Sequence, residues 1–277
     1  MTSHVIKTPS EALITRSPAV LSRHRQRRLR VLLSGGSLII VALAYTVISN
    51  LPATNQTLVP PPQAVWQAFQ ELLQEGTLWN NVQISLVRVL SGFAIGAGSA
   101  VLIGALVGWF KPVEYVFDPL IEALRPVPPL AYIPLVIIWV GIGNPSSILV
   151  IAASAFLTCV VSVASGMKQV PRTYVEASRT LGANSMTVFR TVAIPASIPY
   201  IFTGLRIAIG ASWTTLVAAE LVGAQSGLGV ILQNGRRFFR TDIVIVGIVI
   251  IGLLAFAMDR IARVAQARLT RWSEVAE

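Results

Sequence analysis

Histidine, cysteine and lysine are scarce in this 277-residue chain. The one cysteine, Cys159, lies inside an apolar run, so neither an intramolecular disulfide nor a cysteine cluster for metal can form. The two histidines, His4 and His24, both lie in the N-terminal tail. That leaves no histidine-based triad and no zinc site. It also argues against a membrane enzyme, which needs convergent acids, bases or metal ligands. The three lysines are Lys7, Lys111 and Lys168, and "SGMKQV" around the last has no glycine-rich lead. No G-x-x-x-x-G-K-S/T segment is present. Phosphates need a backbone cradle and a lysine, so the sequence predicts no P-loop nucleotide site and no cofactor in this chain. Charged residues make up 12%, against about 25% in a soluble domain. The deficit excludes a large separate soluble domain and points to side chains that meet lipid or each other.

What is present is apolar: 54% of residues are hydrophobic. A membrane span needs about 20 mostly apolar residues. Six such stretches predict an all-α integral membrane protein, with spans near 31–51, 84–109, 118–141, 146–166, 198–222 and 242–262. The polar first 30 residues are too long for an ordinary signal n-region, so the first apolar stretch reads as a retained span. The expected organisation is a basic tail over 1–30, a transmembrane domain over 31–262 that includes a polar loop at 167–197, and a tail over 263–277.

The basic run "RHRQRRLR" (23–30) admits two readings. It could bind nucleic acid, but it abuts an apolar stretch, and basic residues beside a span mark its cytoplasmic side. With the N-terminus inside, sixteen lysines and arginines fall on the inner side and three, Arg236, Arg237 and Arg240, on the outer. Both termini are therefore expected in the cytoplasm, and no nucleic-acid partner is expected.

Three stretches have local structure legible from spacing. In 60–79, Val65, Trp66, Phe69, Leu72 and Leu73 share a helical face. This amphipathic helix either lies on the outer membrane surface or packs on the bundle. Gly92, Gly96, Ala100, Gly104 and Gly108 recur every four residues, a seam for close helix packing in lipid. Pro126, Pro128, Pro129 and Pro134 interrupt the third span. Broken backbone at membrane depth needs protein or a wet cavity beside it.

The most punctuated interval is polar: "EASRTLGANSMTVFRTVAIP" at 176–195. Pro171 suits a first helical turn, Gly182 suits a left-handed stop, and Asn184 or Ser185 suits a second N-cap. The expectation is helix, glycine turn, short helix, then Pro195 beyond its end. The segment is too polar for lipid and too structured for a tether, as a docking element for a cytoplasmic partner would be.

Glu176, Ala177 and Ser178, then Gly182 after three residues, then Val192, Ile194 and Pro195 after nine more, resemble the Glu-Ala-Ala loop of ABC importer permeases. "LRPVPPLAYIPLVIIWVGIG" (124–143), "SWTTLVAAELVGA" (212–224), "SGLG" (226–229) and "RTD" (240–242) resemble the nitrate, sulfonate and taurine branch of that family. The final "RLTRWSEV" is most similar to taurine permeases. The resemblance spans about Pro60 to Trp272 and implies a type I ABC importer permease fold in a bacterial inner membrane. It implies that 176–195 enters a cleft on an ATPase subunit, with Glu176, Ala177, Ser178, Gly182, Ile194 and Pro195 as the coupling residues. It also implies two permease copies, two ATPases that bind the ATP and Mg, and an extracytoplasmic solute-binding protein. The implied cargo is a small anionic or zwitterionic solute: taurine or another sulfonate, alternatively nitrate or bicarbonate. A self-sufficient secondary transporter is the competing class. It would show internal repeats with paired broken helices, which the sequence lacks, and would need no docking element.

Charges inside spans need a partner or a function, since each costs roughly 2.5–3.5 kcal/mol at mid-bilayer. Arg125 either pairs with Glu122 three residues earlier or faces a pathway for anions. Arg206 shares the pathway reading. Glu220 either contacts a solute ammonium or pairs at the outer surface with Arg236, Arg237 or Arg240. Ser212, Thr214 and Thr215 either line the cavity or bond back to their own helix. The three outer arginines are candidates for an electropositive outer mouth. Their alternative partners are Glu220, Asp242 and lipid headgroups.

Overall fold

The computed structural model describes residues 36–37, 39–52 and 55–270. They fall into two units, one ending at Pro61 and one starting at Pro62. The first unit contains helix α1 (Ile39–Ser49), apolar but shorter than a full span. The rest of the expected first span, the basic tail and residues 271–277 lie outside the described residues.

The second unit is helical, with no strand among the described residues. Its elements are α2 (Pro62–Gln74), α3 (Thr77–Trp109), α4 (Lys111–Leu124), α5 (Ile133–Val140), α6 (Asn144–Lys168), α7 (Arg172–Thr180), α8 (Ser185–Val188), α9 (Ile194–Gly223), α10 (Leu228–Arg237) and α11 (Thr241–Leu269). Helices α3, α6 and α11, and the continuous run Ser185–Gly223, are long and apolar enough to cross a membrane. Residues Lys111–Leu124 and Pro129–Val140 are a bent pair at 86°, apolar enough together to make a broken span or a re-entrant loop. Two expectations change in detail. The second span begins at Thr77, not near 84. The third is not one helix but two, because Pro126, Pro128 and Pro129 donate no backbone hydrogen bond.

Helices α3 and α6 form the central seam. A β-carbon on Gly96 would strike the Ala152 backbone, and one on Gly108 would lie 2.6 Å from the Ala164 carbonyl oxygen. The four-residue glycine repeat is thus occupied by another backbone at contact distance. Val160, Val163, Ala155 and Cys159 of α6 are fully buried against this face and α9. At one end, α2 packs across α11. Val65, Trp66 and Phe69 face Val246, Ile250 and Leu253 around a shallow apolar cleft, so the amphipathic stripe meets the bundle.

Candidate functional site

Polar residues gather at two sites, one at each end of the bundle. The first is the polar interval. No residue of α7 is buried, and Leu181, just past it, is 89% exposed. Gly182 has φ +86° with nothing near its missing β-carbon, so backbone conformation, not space, is what favours glycine here. Asn184 then caps α8: its side chain accepts from the Thr187 N–H at 2.8 Å. Beyond the cap, Val188 and Phe189 are buried, and the Phe189 ring meets Trp109 and Phe110 at centroid distances of 6.1 and 5.3 Å. Close by, Glu114 ties Lys111 to Lys168, at 2.8 and 2.7 Å. The interval therefore has a packed root and a free tip.

Here the structure corrects one expectation. Pro195 does not follow the end of the second short helix. The chain passes through a π-helical turn, Phe189–Ala193, straight into α9, with the Ile194 N–H donating to the Phe189 carbonyl. Pro195 lies in the first turn of α9. The wider turn accommodates a residue that has no N–H and crowds the carbonyl four residues back. Of the expected coupling residues, Glu176, Ala177 and Ser178 lie on α7, Gly182 in the turn, and Ile194 and Pro195 at the start of α9. Tyr174, Ala177 and Leu181 form one wall of a groove of about 1020 Å³, and Val192, Pro195 and Tyr200 the other.

The second site fixes the start of α10. Three backbone N–H groups at this helix start are taken by side chains from elsewhere. Gly227 donates to Asn81, Leu228 to Ser85 at 2.9 Å, and Gly229 to Glu220 at 2.8 Å. Asn81, Ser85 and Arg88 lie along one face of α3. Ser85 and Arg88 each donate to Glu220 Oε1, at 2.7 and 2.9 Å. Arg88 also holds Asn144 at 2.8 Å and the Ser226 carbonyl. The ion pair is fully enclosed, with side-chain exposures of 2% and 0%. β-Carbons at Gly227 or Gly229 would collide with the Glu220 side chain, which accounts for glycine at both positions of "SGLG".

The expected outer-surface pair between Glu220 and Arg236, Arg237 or Arg240 is therefore corrected. The "SGLG" loop folds back so that Glu220 is enclosed among helices, and Arg88 neutralises it. Arg88, Ser85, Asn81 and Asn144 were missed as site residues. The spacing of Asn81, Ser85 and Arg88, four and three residues apart on one helical face, was the available signal.

The remaining candidates separate. Arg206 pairs with Asp259 at 3.1 Å. Ser212 is buried and donates to the Ala208 carbonyl, exposed Thr214 donates to Gly210, and buried Thr215 donates to Ser154 Oγ at 2.9 Å. Arg236 and Arg237 are exposed at the end of α10. Arg240 bridges Glu71 of α2 and Asp242, at 2.8 and 2.9 Å. Its hydrogen bond and its charge hold the Glu71 carboxyl below the ordinary carboxylate range. Arg125 caps the C-terminus of α4. No ion pair links it to Glu122 or to any other described carboxylate.

Residues 100–271 match the family described as binding-protein-dependent transport system inner membrane component. The chain is 37% identical over 248 residues to the taurine transport system permease protein TauC of Escherichia coli (strain K12), covering 88% of this chain and 90% of that one. It is 30% identical over 268 residues to the bicarbonate transport system permease protein CmpB of Synechococcus elongatus, covering 92% and 94%. Among solved structures it resembles a chain of an amino acid ABC transporter, with a TM-score of 0.57 at 19% identity over 73% of this chain and 97% of that one. An inward-facing MetNI methionine ABC transporter gives 0.52 at 23% identity, over 69% and 95%.

Proposed function

Because this chain belongs to the family of binding-protein-dependent transport system inner membrane components, we propose that it is the translocation subunit of an ATP-driven importer. Its cargo is a small anionic or zwitterionic solute, first of all taurine or another sulfonate, with bicarbonate and nitrate as alternatives. In this reading two copies form a homodimer in the bacterial inner membrane, with both termini in the cytoplasm. Two ATPase subunits bind ATP and Mg and dock on the inner side. A solute-binding protein delivers cargo from outside. The names of the taurine and bicarbonate relatives support the cargo class.

The observation that carries this reading is the form of the polar interval: an exposed helix, α7, on a root packed against the ends of α3 and α6. A lever needs both features. A partner grips the exposed helix, and the packed root passes the displacement to α9 and the seam. The electropositive-mouth reading of Arg236, Arg237 and Arg240 now rests on Arg236 and Arg237, since Arg240 is engaged by two carboxylates.

The test is site-directed cross-linking. Leu181→Cys, in a Cys159→Ala background, is co-expressed with the neighbouring ATPase bearing single cysteines around its permease-facing cleft. A specific cross-link whose yield changes when ATP is added supports the reading. Absence of any cross-link in a complex that still co-purifies contradicts it.

A further inference from the structure

We propose that Arg125, together with the hydroxyls of Thr158 and Ser162, forms a transit site for the oxyanion head of the solute inside the membrane. This deepens the transport reading and rests on it.

Arg88 and Arg206 lie within α3 and α9, and Arg125 lies at the break of the bent helix pair. Arg88 has Glu220 and Arg206 has Asp259. Arg125 has no ion pair and no side-chain hydrogen bond among the described residues. A guanidinium at membrane depth facing hydrocarbon is strongly disfavoured, so such residues face a bundle interior or a water-filled cavity. Its position agrees with this. Arg125, exposed on the protomer, is the first residue of the break between α4 and the Pro129–Val140 segment, which meet at 86°. Irregular backbone at this depth is tolerated where it lines a cavity.

That cavity is present. Arg125 borders a space of about 310 Å³, between the broken segment, α6 and α9. Thr158 and Ser162, one turn apart on α6, line it with Leu157, Val161 and Ile207. At 1.5 Å per residue, Thr158 and Ser162 lie about 15 and 9 Å from the Lys168 end of α6. With the Lys168 end of α6 taken as the inner membrane edge, that depth falls within the hydrocarbon. Ser162 makes no side-chain hydrogen bond among the described residues. Thr158 donates to the Ser154 carbonyl at 2.8 Å, a bond it can exchange for one to a ligand by rotating.

The donor set specifies the ligand chemistry. A guanidinium fork matches two oxygens of a planar or tetrahedral oxyanion, and two hydroxyls add single donors. The lining holds no Asp or Glu, so it offers no counter-charge to an ammonium group. The site reads a compact monovalent oxyanion head, the chemistry shared by sulfonate, carboxylate and bicarbonate, and ignores the tail. One cation and two hydroxyls make a weak station, as transit requires, because a site on a pathway must release what it binds.

The test reads local electrostatics without relying on transport. Ser162→Cys in a Cys159→Ala background is reconstituted with its ATPase and labelled with methanethiosulfonate reagents. The rate with the anionic ethylsulfonate reagent is divided by that with the cationic ethylammonium reagent. Arg125→Gln should lower this ratio on the order of tenfold, and Arg125→Lys should retain most of it. Millimolar methanesulfonate should slow labelling when Arg125 is present and not in Arg125→Gln. A ratio unchanged by Arg125→Gln, or no protection by methanesulfonate with Arg125 present, overturns the site. The transport reading fails separately, if the wild-type complex shows no ATP hydrolysis stimulated by a loaded binding protein.

Discussion

Arg88 and Glu220 set the energetic scale for single residues in this protein. Both are withdrawn from solvent, and Glu220 accepts from Arg88, Ser85 and the Gly229 N–H. Removing one member of such a pair leaves an uncompensated buried charge, which costs about 3–5 kcal/mol, whereas replacing both can be close to neutral. Arg88→Met should therefore lower the thermal stability of the purified protein sharply, and Arg88→Met with Glu220→Leu should recover much of it. The double variant should still lose order at the start of α10, because Gly229 loses its acceptor. Additive losses in the two variants would show that the pair does not act as a unit. Exposed Glu71 represents the other extreme. Its carboxyl is held below the ordinary range by Arg240, so the contact contributes fully above the unfolded-state value, near 4.3. It is lost as pH falls through the lower folded value. Amide protection factors in α2, normalised for the intrinsic pH dependence of exchange, should hold steady from pH 7 to about 5 and fall only at more acid pH. A fall already near pH 6 would assign the tie to another group.

At the scale of elements, the decisive contacts are between backbones. The α3–α6 seam has no room for side chains at Gly96 or Gly108. Gly96→Leu should force the two helices apart, and overpacking of this kind costs typically 1–3 kcal/mol. Gly98→Leu, on an open face of the same helix, is the matched control and should be tolerated. Equal loss of folded protein for both, measured by fluorescence-detected size exclusion, would contradict the seam. This seam was legible in the sequence because a four-residue repeat of small residues has one physical reading in lipid. The proline-rich break was legible too, though not its 86° angle, which depends on what α5 packs against. The place of Pro195 was misread because proline is tolerated both in a first helical turn and beyond a helix end. The Arg88–Glu220 pair was invisible for a different reason. Its members stand 132 residues apart, and no local pattern in the chain joins them.

For the whole molecule, the account requires that motion at the exposed end of α7 reach the pathway. Rigid connections for this exist: Phe189 against Trp109 and Phe110, and Glu114 between Lys111 and Lys168. The free element is the Gly182 turn, where φ +86° favours glycine, tolerates asparagine, and penalises a β-branched residue. The most direct measurement is ATP hydrolysis by the ATPase subunits of the complex reconstituted with this chain, with and without loaded binding protein, for wild type, Gly182→Asn and Gly182→Val. The account predicts stimulation in wild type, most of it retained in Gly182→Asn, and stimulation lost in Gly182→Val while that permease still reaches the membrane in normal amount. Full stimulation in Gly182→Val would contradict the role of this segment as the coupling element.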